Sequence, residues 1–210
     1  MPTAFGLTCF VSFMLACGSA ASQEPSAPPE LTVGERWTYQ AHDRHFDEGA
    51  FTIEVSEKTS NGYVLSSKVV TTKTPSLIPS GLTHDLNWLR AAADGPAANC
   101  WFSFPLSAGK SWACKTPWVS QRGHHGEDSF TFKVVGTEKI TVTGGAFDTV
   151  KIVGEGRWKN NSTGSSDMST IIIWFAPEAR GIARYQRDNW PKNPGNPQPR
   201  LELVNHVAPH

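Results

Sequence analysis

Apolar and polar residues alternate with a period of two through most of the chain beyond residue 30. Phe51, Ile53 and Val55 alternate with Thr52, Glu54 and Ser56; Phe130, Phe132 and Val134 with Ser129, Thr131 and Lys133; Val150 and Ile152 with Thr149 and Lys151. Successive side chains of an extended strand point to opposite faces, so this pattern predicts strands buried on one face and solvated on the other. Turn-forming groups separate the runs: Glu48-Gly49, Asn61-Gly62, Asp94-Gly95, Gly144-Gly145 and Asn193-Pro194-Gly195. Asn61-Gly62 is the strongest hairpin signal, because both residues accept positive φ. The spacing predicts about nine to eleven strands, near residues 36–41, 50–58, 63–73, 100–104, 111–118, 129–142, 147–159, 168–176, 182–187 and 200–207. Residues 83–93 carry the one helical signal, built on Leu86, Leu89, Arg90 and three alanines, and a strand is the alternative there. The unbroken run Ile171-Ile172-Ile173-Trp174-Phe175 predicts a strand covered on both faces. The fold class is all-β: a curved antiparallel meander forming a half-barrel, barrel or sandwich, with one short helix as an option.

The N-terminal segment follows a different rule. Residues 1–23 carry no charge, and residues 4–16 form an apolar run of 13, too short to span a bilayer as a helix but suited to the core of a secretory signal. Small residues follow, and two readings stand. Cleavage after Ala20 or Ala21 makes residues 1–21 a signal peptide; processing before Cys17 makes residues 1–16 the leader of a lipoprotein. Met14-Leu15-Ala16-Cys17 resembles a bacterial lipobox in part, with Leu15 where Ala or Ser is preferred. No Lys or Arg precedes the apolar run. Residues 22–30, with Pro25, Pro28 and Pro29, read as a stiffened linker, and residues 31–210 as a single β-rich domain. The expected location is an exported one, in the periplasm or on a bacterial envelope membrane through a lipid anchor at Cys17.

The chain has 210 residues, with 19 basic and 19 acidic side chains and hence no formal net charge. A nucleic-acid partner is excluded, because phosphate tracking needs a surplus of Lys and Arg. Export accounts for two of the four cysteines and leaves Cys100 and Cys114, which should bridge in an oxidising compartment. The expected geometry is a pair of short strands around residues 105–109, in register about Ser107. Closing that loop contributes about 3 kcal/mol in the chain-entropy model.

Two segments resemble the opening VGxxWxY and closing W[YF]APxxG signatures of exported bacterial β-rich proteins grouped as domains of unknown function. They are Val33-Gly34-Glu35-Arg36-Trp37-Thr38-Tyr39 and Trp174-Phe175-Ala176-Pro177-Glu178-Ala179-Arg180-Gly181. Between them, Phe104-Pro105-Leu106 with Gly109-Lys110-Ser111-Trp112, and the segment from Gly145 to Ile152, resemble that family's internal motifs in the same order. The resemblance implies an exported, curved antiparallel sheet similar to periplasmic lipid or lipoprotein carriers, and it transfers no catalytic residue.

Candidate chemistry is sparse. His42 and His45 with Asp43, Asp47 and Glu48, and His124-His125 with Glu127 and Asp128 in a loop over 121–128, are the densest groups of metal-ligand types. Solvated hairpin tips account for both better than a metal does. Gly109-Lys110-Ser111 lacks the first glycine of a phosphate-binding loop, since position 104 is Phe. Gly154-x-Gly156 lies in a strand pattern and reads as a bulge or as a place where a ring crosses the strand. No nucleophile elbow or zinc-protease helix is present, so enzymatic activity is undecided and a non-enzymatic role is favoured, with no cofactor. Eight Trp exceed what an aliphatic core requires. An apolar concavity lined by some of Trp37, Phe51, Trp158 and Trp174 is therefore expected to hold a hydrophobic or lipid-like ligand. Arg180, Arg184, Arg187 and Lys192 form a basic stretch suited to an anionic surface or an envelope protein partner. A structural component of an envelope complex is the alternative function, and a hydrolase with a dispersed site ranks third.

Overall fold

The computed structural model describes residues 27–42, 49–69, 78–120, 122–189 and 200–209. Among them, twelve strands form one antiparallel sheet. They are β1 (Arg36–His42), β2 (Gly49–Thr59), β3 (Gly62–Val69), β4 (Gly81–Thr83), β5 (Trp88–Arg90), β6 (Ala97–Ala98), β7 (Ser111–Val119), β8 (His125–Val142), β9 (Gly145–Asn160), β10 (Ser166–Ala176), β11 (Gly181–Asn189) and β12 (Arg200–Val207). The sheet order is β6-β5-β4-β3-β2-β1-β12-β11-β10-β9-β8-β7, so each strand neighbours the next in sequence except where β12 inserts between β1 and β11 and where β6 and β7 form the two edges. Those edges face each other. Thr116 Oγ1 donates to the Ala98 carbonyl (3.2 Å), Val119 N to the Ala91 carbonyl (3.0 Å), and a disulfide joins Cys100 to Cys114 across a Cα separation of 6.1 Å. The meander is a nearly closed barrel.

The period of two sets what fills it. Trp37, Tyr39, Phe51, Ile53, Val55, Phe130, Phe132, Val134, Ile152, Ile171, Ile173, Leu201 and Leu203 are all buried and alternate with more exposed neighbours. Gly154 and Gly156 lie on the inward parity of β9, where rings from β8 cross them. A Cβ at Gly154 would overlap the Phe132 ring, and one at Gly156 would sit 2.7 Å from Phe130 Cα. Phe132 is only 1% exposed and its ring is stacked between Trp112 (5.7 Å) and Phe130 (5.8 Å), so moving it disturbs both contacts. Gly154→Ala is therefore expected to lower the unfolding free energy by about 1–3 kcal/mol in a urea titration, and an unchanged midpoint would show that the ring is free to move.

Four sequence expectations are corrected. Residues 83–93 form no helix: β4 ends at Thr83, Leu86 takes a positive φ of 60°, and β5 begins at Trp88, a tight hairpin in which Thr83 N bonds the Asn87 carbonyl at 3.0 Å. Residues 100–104 form no strand. Their backbone is satisfied instead by a side chain: Phe102 N donates to Asn87 Oδ1 (2.7 Å) and Asn87 Nδ2 donates to the Phe102 carbonyl (2.9 Å). The disulfide accordingly joins a non-strand residue to β7 rather than two strands in register about Ser107. Asp128 belongs to no loop, because β8 starts at His125 and places it inside the ladder opposite Thr116 and Trp158.

The run 171–175 is covered on both faces. Ile171, Ile173 and Phe175 point inward, while Trp174 faces out and is still only 6% exposed; Ile172 is half-buried. The register of β8 on β9 shifts between Val134 and Gly136, and the far end of this hairpin turns onto the outer face of the sheet. Gly144 N donates to the Leu203 carbonyl (2.9 Å) and Arg184 Nη2 to the Thr141 carbonyl (2.9 Å), fixing the hairpin tip over β11 and β12.

Candidate functional site

The segment after β6 turns into the barrel and packs its rings against the opposite wall. Trp101 stacks on Tyr185 of β11 (centroids 4.9 Å, 29°) and lies 5.4 Å from Trp88 of β5, while Phe102 and Phe104 meet Phe175 edge-on at 5.4 and 5.5 Å. Such pairs add about 0.5–1.5 kcal/mol each beyond burial. Beside this plug, a cavity of about 110 Å³ is left in the barrel, walled by Trp88, Trp101, Phe130, Phe132 and Tyr185 and ended by Arg90, Asp128 and Arg187.

The polar end is a triad. Asp128 Oδ2 accepts from Arg90 Nη1 and Nη2 (both 3.1 Å), and its two oxygens receive Arg187 Nη1 and Nη2 at 3.5 and 3.4 Å. Arg90 also donates to the Thr116 carbonyl (3.2 Å) and Arg187 Nε to Ser169 Oγ (3.1 Å). The side chains are 10% exposed for Asp128, 21% for Arg187 and 31% for Arg90, so this group is largely shielded from water. Burial works against the charge on Arg187, but the adjacent carboxylate and Tyr185 outweigh it and hold the guanidinium pKa above its ordinary value. Burial raises the Tyr185 phenol, keeping it a neutral donor. Two cations share one anion. Among the described residues, two buried side-chain donors have no acceptor, Arg90 Nε and the Trp158 indole N–H, and Trp158 is the cross-strand partner of Asp128. An unpaired buried donor costs about 1–3 kcal/mol, so the surroundings of Asp128 are short of acceptors.

The residues singled out from sequence are not brought together. Trp37 is 2% exposed, donates its indole N–H to the Ala179 carbonyl (2.7 Å) and stacks on His206 at 5.4 Å. It borders a void of about 20 Å³, the space of a single water. Phe51 is fully buried against Tyr39 (5.6 Å). Trp158 lies beside the triad, and Trp174 lies outside the barrel. The three described arginines also diverge. Arg180 Nε pairs with the fully buried Glu35 (3.1 Å), Arg184 with Glu202 (3.0 Å) on the outer face, and Arg187 enters the triad; Lys192 lies outside the described residues. The opening and closing sequence signatures thus meet in one joint, with Glu35 on Arg180 and Trp37 on Ala179. Cys17, His45, Asp43, Asp47 and Glu48 lie outside the described residues. His124 and His125 contact Asn160 and Ser162, and no group of three His, Cys, Asp or Glu suited to a metal occurs among the described residues.

On the outer face, Trp174 donates its indole N–H to Glu138, and Lys151 and Arg184 lie over its ring at 5.3 and 5.7 Å. That hydrogen bond, with Lys151 at 3.2 Å, holds the Glu138 carboxyl below its ordinary pKa of 4.5. A lowered folded pKa stabilises the fold above the unfolded value, and the contribution disappears as pH falls through the folded one. The stability difference between wild type and Glu138→Gln should therefore shrink as pH drops below about 4.5. Urea midpoints measured across that range check it, and a pH-independent difference contradicts it.

The geometry defines a nearly closed antiparallel β-barrel with an aromatic-walled, arginine-ended interior cavity. No protein-family model and no curated protein matches the chain. Among solved structures, the crystal structure of a Bacteroides fragilis protein described as exported, with a YmcC-like fold, aligns with a TM-score of 0.52 at 16% identity, covering 84% of this chain and 97% of that one. A protein from Parabacteroides distasonis described as a lipoprotein aligns at 0.47 and 12% identity, covering 84% and 96% of the two chains. The lipoprotein YmcC of Escherichia coli aligns at 0.43 and 10%, covering 84% and 86%. At this identity the likeness to the Bacteroides protein shows a shared fold.

Proposed function

We propose that this chain is a non-enzymatic exported protein of a bacterial cell envelope that holds a small hydrophobic or lipid-like ligand inside its barrel. The observation that carries this reading is the interior cavity of about 110 Å³ walled by Trp88, Trp101, Phe130, Phe132 and Tyr185. Apolar pockets with a few convergent polar groups are the usual form of small-molecule sites. This one takes a compact molecule or the end of a longer one. Export is supported by the charge-free leader, by a bridged cysteine pair of the kind kept in oxidising compartments, and by the description of the Bacteroides protein as exported. The alternative role in an envelope assembly relied on the basic stretch, but Arg180, Arg184 and Arg187 are engaged within the chain, which favours the ligand reading. Protein purified without detergent from its own envelope fraction should carry a bound small molecule in native mass spectrometry. Repeated recovery of empty protein would count against the reading. Intact mass of the same sample distinguishes acylation at Cys17 from signal-peptide cleavage.

A further inference from the structure

We infer that the ligand of this cavity carries a compact oxyanion, a carboxylate or phosphate, seated on Arg90 and Arg187, with a short apolar stem against Trp88, Trp101 and Tyr185. The inference rests on the ligand-holding reading above and adds the chemical class of the ligand. Three observations carry it. The charged groups lining the cavity are two arginines and one aspartate, leaving one positive charge in a largely water-shielded site. Asp128 alone faces both guanidiniums, and it meets Arg187 only at 3.4–3.5 Å, longer than a close charge-assisted contact. Arg90, which lines the cavity, also has a buried Nε donor without an acceptor. An oxyanion supplies what is missing: negative charge and several lone pairs in the planar or tetrahedral form that a guanidinium fork recognises. A neutral apolar ligand would leave the excess positive charge of Arg90 and Arg187 uncompensated. A cationic one would be repelled by the arginines.

The aromatic rings then set the rest of the molecule. Trp101 stacked on Tyr185 and tilted against Trp88 presents mainly ring surface to the stem, so length and shape select it more than polarity does. The cavity volume limits what is enclosed to the head group and the first few carbons.

Isothermal titration of the mature full chain with a matched series tests this: butyrate, butyl phosphate, 1-butanol and butylamine. The expected result is that butyrate or butyl phosphate binds at least tenfold more tightly than butanol and that butylamine does not bind. The better of the two anions identifies a carboxylate or a phosphate head. Arg90→Gln, which leaves Asp128 paired with Arg187, should weaken the anion about tenfold and leave butanol unchanged. Butanol binding as tightly as both anions would overturn the inference and leave the apolar ligand reading standing. No binding by any of the four would overturn both. The wild-type series needs no variant, so a folding defect in Arg90→Gln leaves the ranking of the four compounds intact.

Discussion

Trp101→Ala is expected to lower the unfolding free energy by about 4 kcal/mol, the middle of the range for truncating a buried aromatic side chain. Trp101 is 8% exposed and lies in a segment without ladder hydrogen bonds, held in the barrel by the Asn87 amide, the disulfide at Cys100 and its own stacking on Tyr185 and Trp88. Removing the ring leaves a void between two rings anchored on opposite walls, which cannot close without bending the sheet. Trp101→Phe retains most of the contact and should cost less than half as much. Urea titration of the two variants checks the order. A loss under about 1 kcal/mol for the alanine variant would mean that the segment does not plug the barrel.

Asp128→Ala is expected to cost about 3 kcal/mol, because it leaves two guanidiniums facing each other without their shared acceptor. The isosteric Asp128→Asn carries a more discriminating signature. It removes the negative charge but keeps a polar group in place, so the empty protein loses stability while the site becomes more positive. An anionic ligand should then bind roughly five- to tenfold more tightly to the destabilised protein. A stability loss accompanied by equal or weaker anion binding would show that Asp128 organises a site for something other than an oxyanion. The two readouts, an unfolding midpoint and a dissociation constant, are expected to move in opposite directions.

Much of this architecture could be read from the chain. The period of two located nine of the strands because each buries one face, and its interruption at 171–175 marked the place where the β8–β9 hairpin folds back over Trp174. Gly154 and Gly156 lie under rings, one of the two readings their spacing allowed. The cavity was less legible. Asp128 shares the parity of Phe130, Phe132 and Val134, and Arg187 that of Tyr185, so both charges could have been recognised as inward-pointing on apolar faces. Arg90 could not, since its hairpin is three residues to a strand and offers no period to count. The aromatic plug was hidden for a different reason: its backbone is satisfied by Asn87, a side chain 15 residues away, and no local pattern records that pairing. Trp37 and Trp174 were conspicuous as tryptophans, but each spends its indole N–H on a structural acceptor, Ala179 and Glu138. Ring content alone does not separate a structural tryptophan from a cavity lining.

That distinction also supplies the most direct test. In a proton–nitrogen correlation spectrum the 8 Trp give separate indole signals, assignable through single Trp→Phe variants. On titration with butyrate, or with butyl phosphate if that is the tighter anion, the signals of Trp88 and Trp101 should shift progressively and saturate together, while those of Trp37 and Trp174 stay in place. Shifts confined to Trp37 or Trp174, or none at saturating ligand, would contradict an interior aromatic site ended by Arg90 and Arg187.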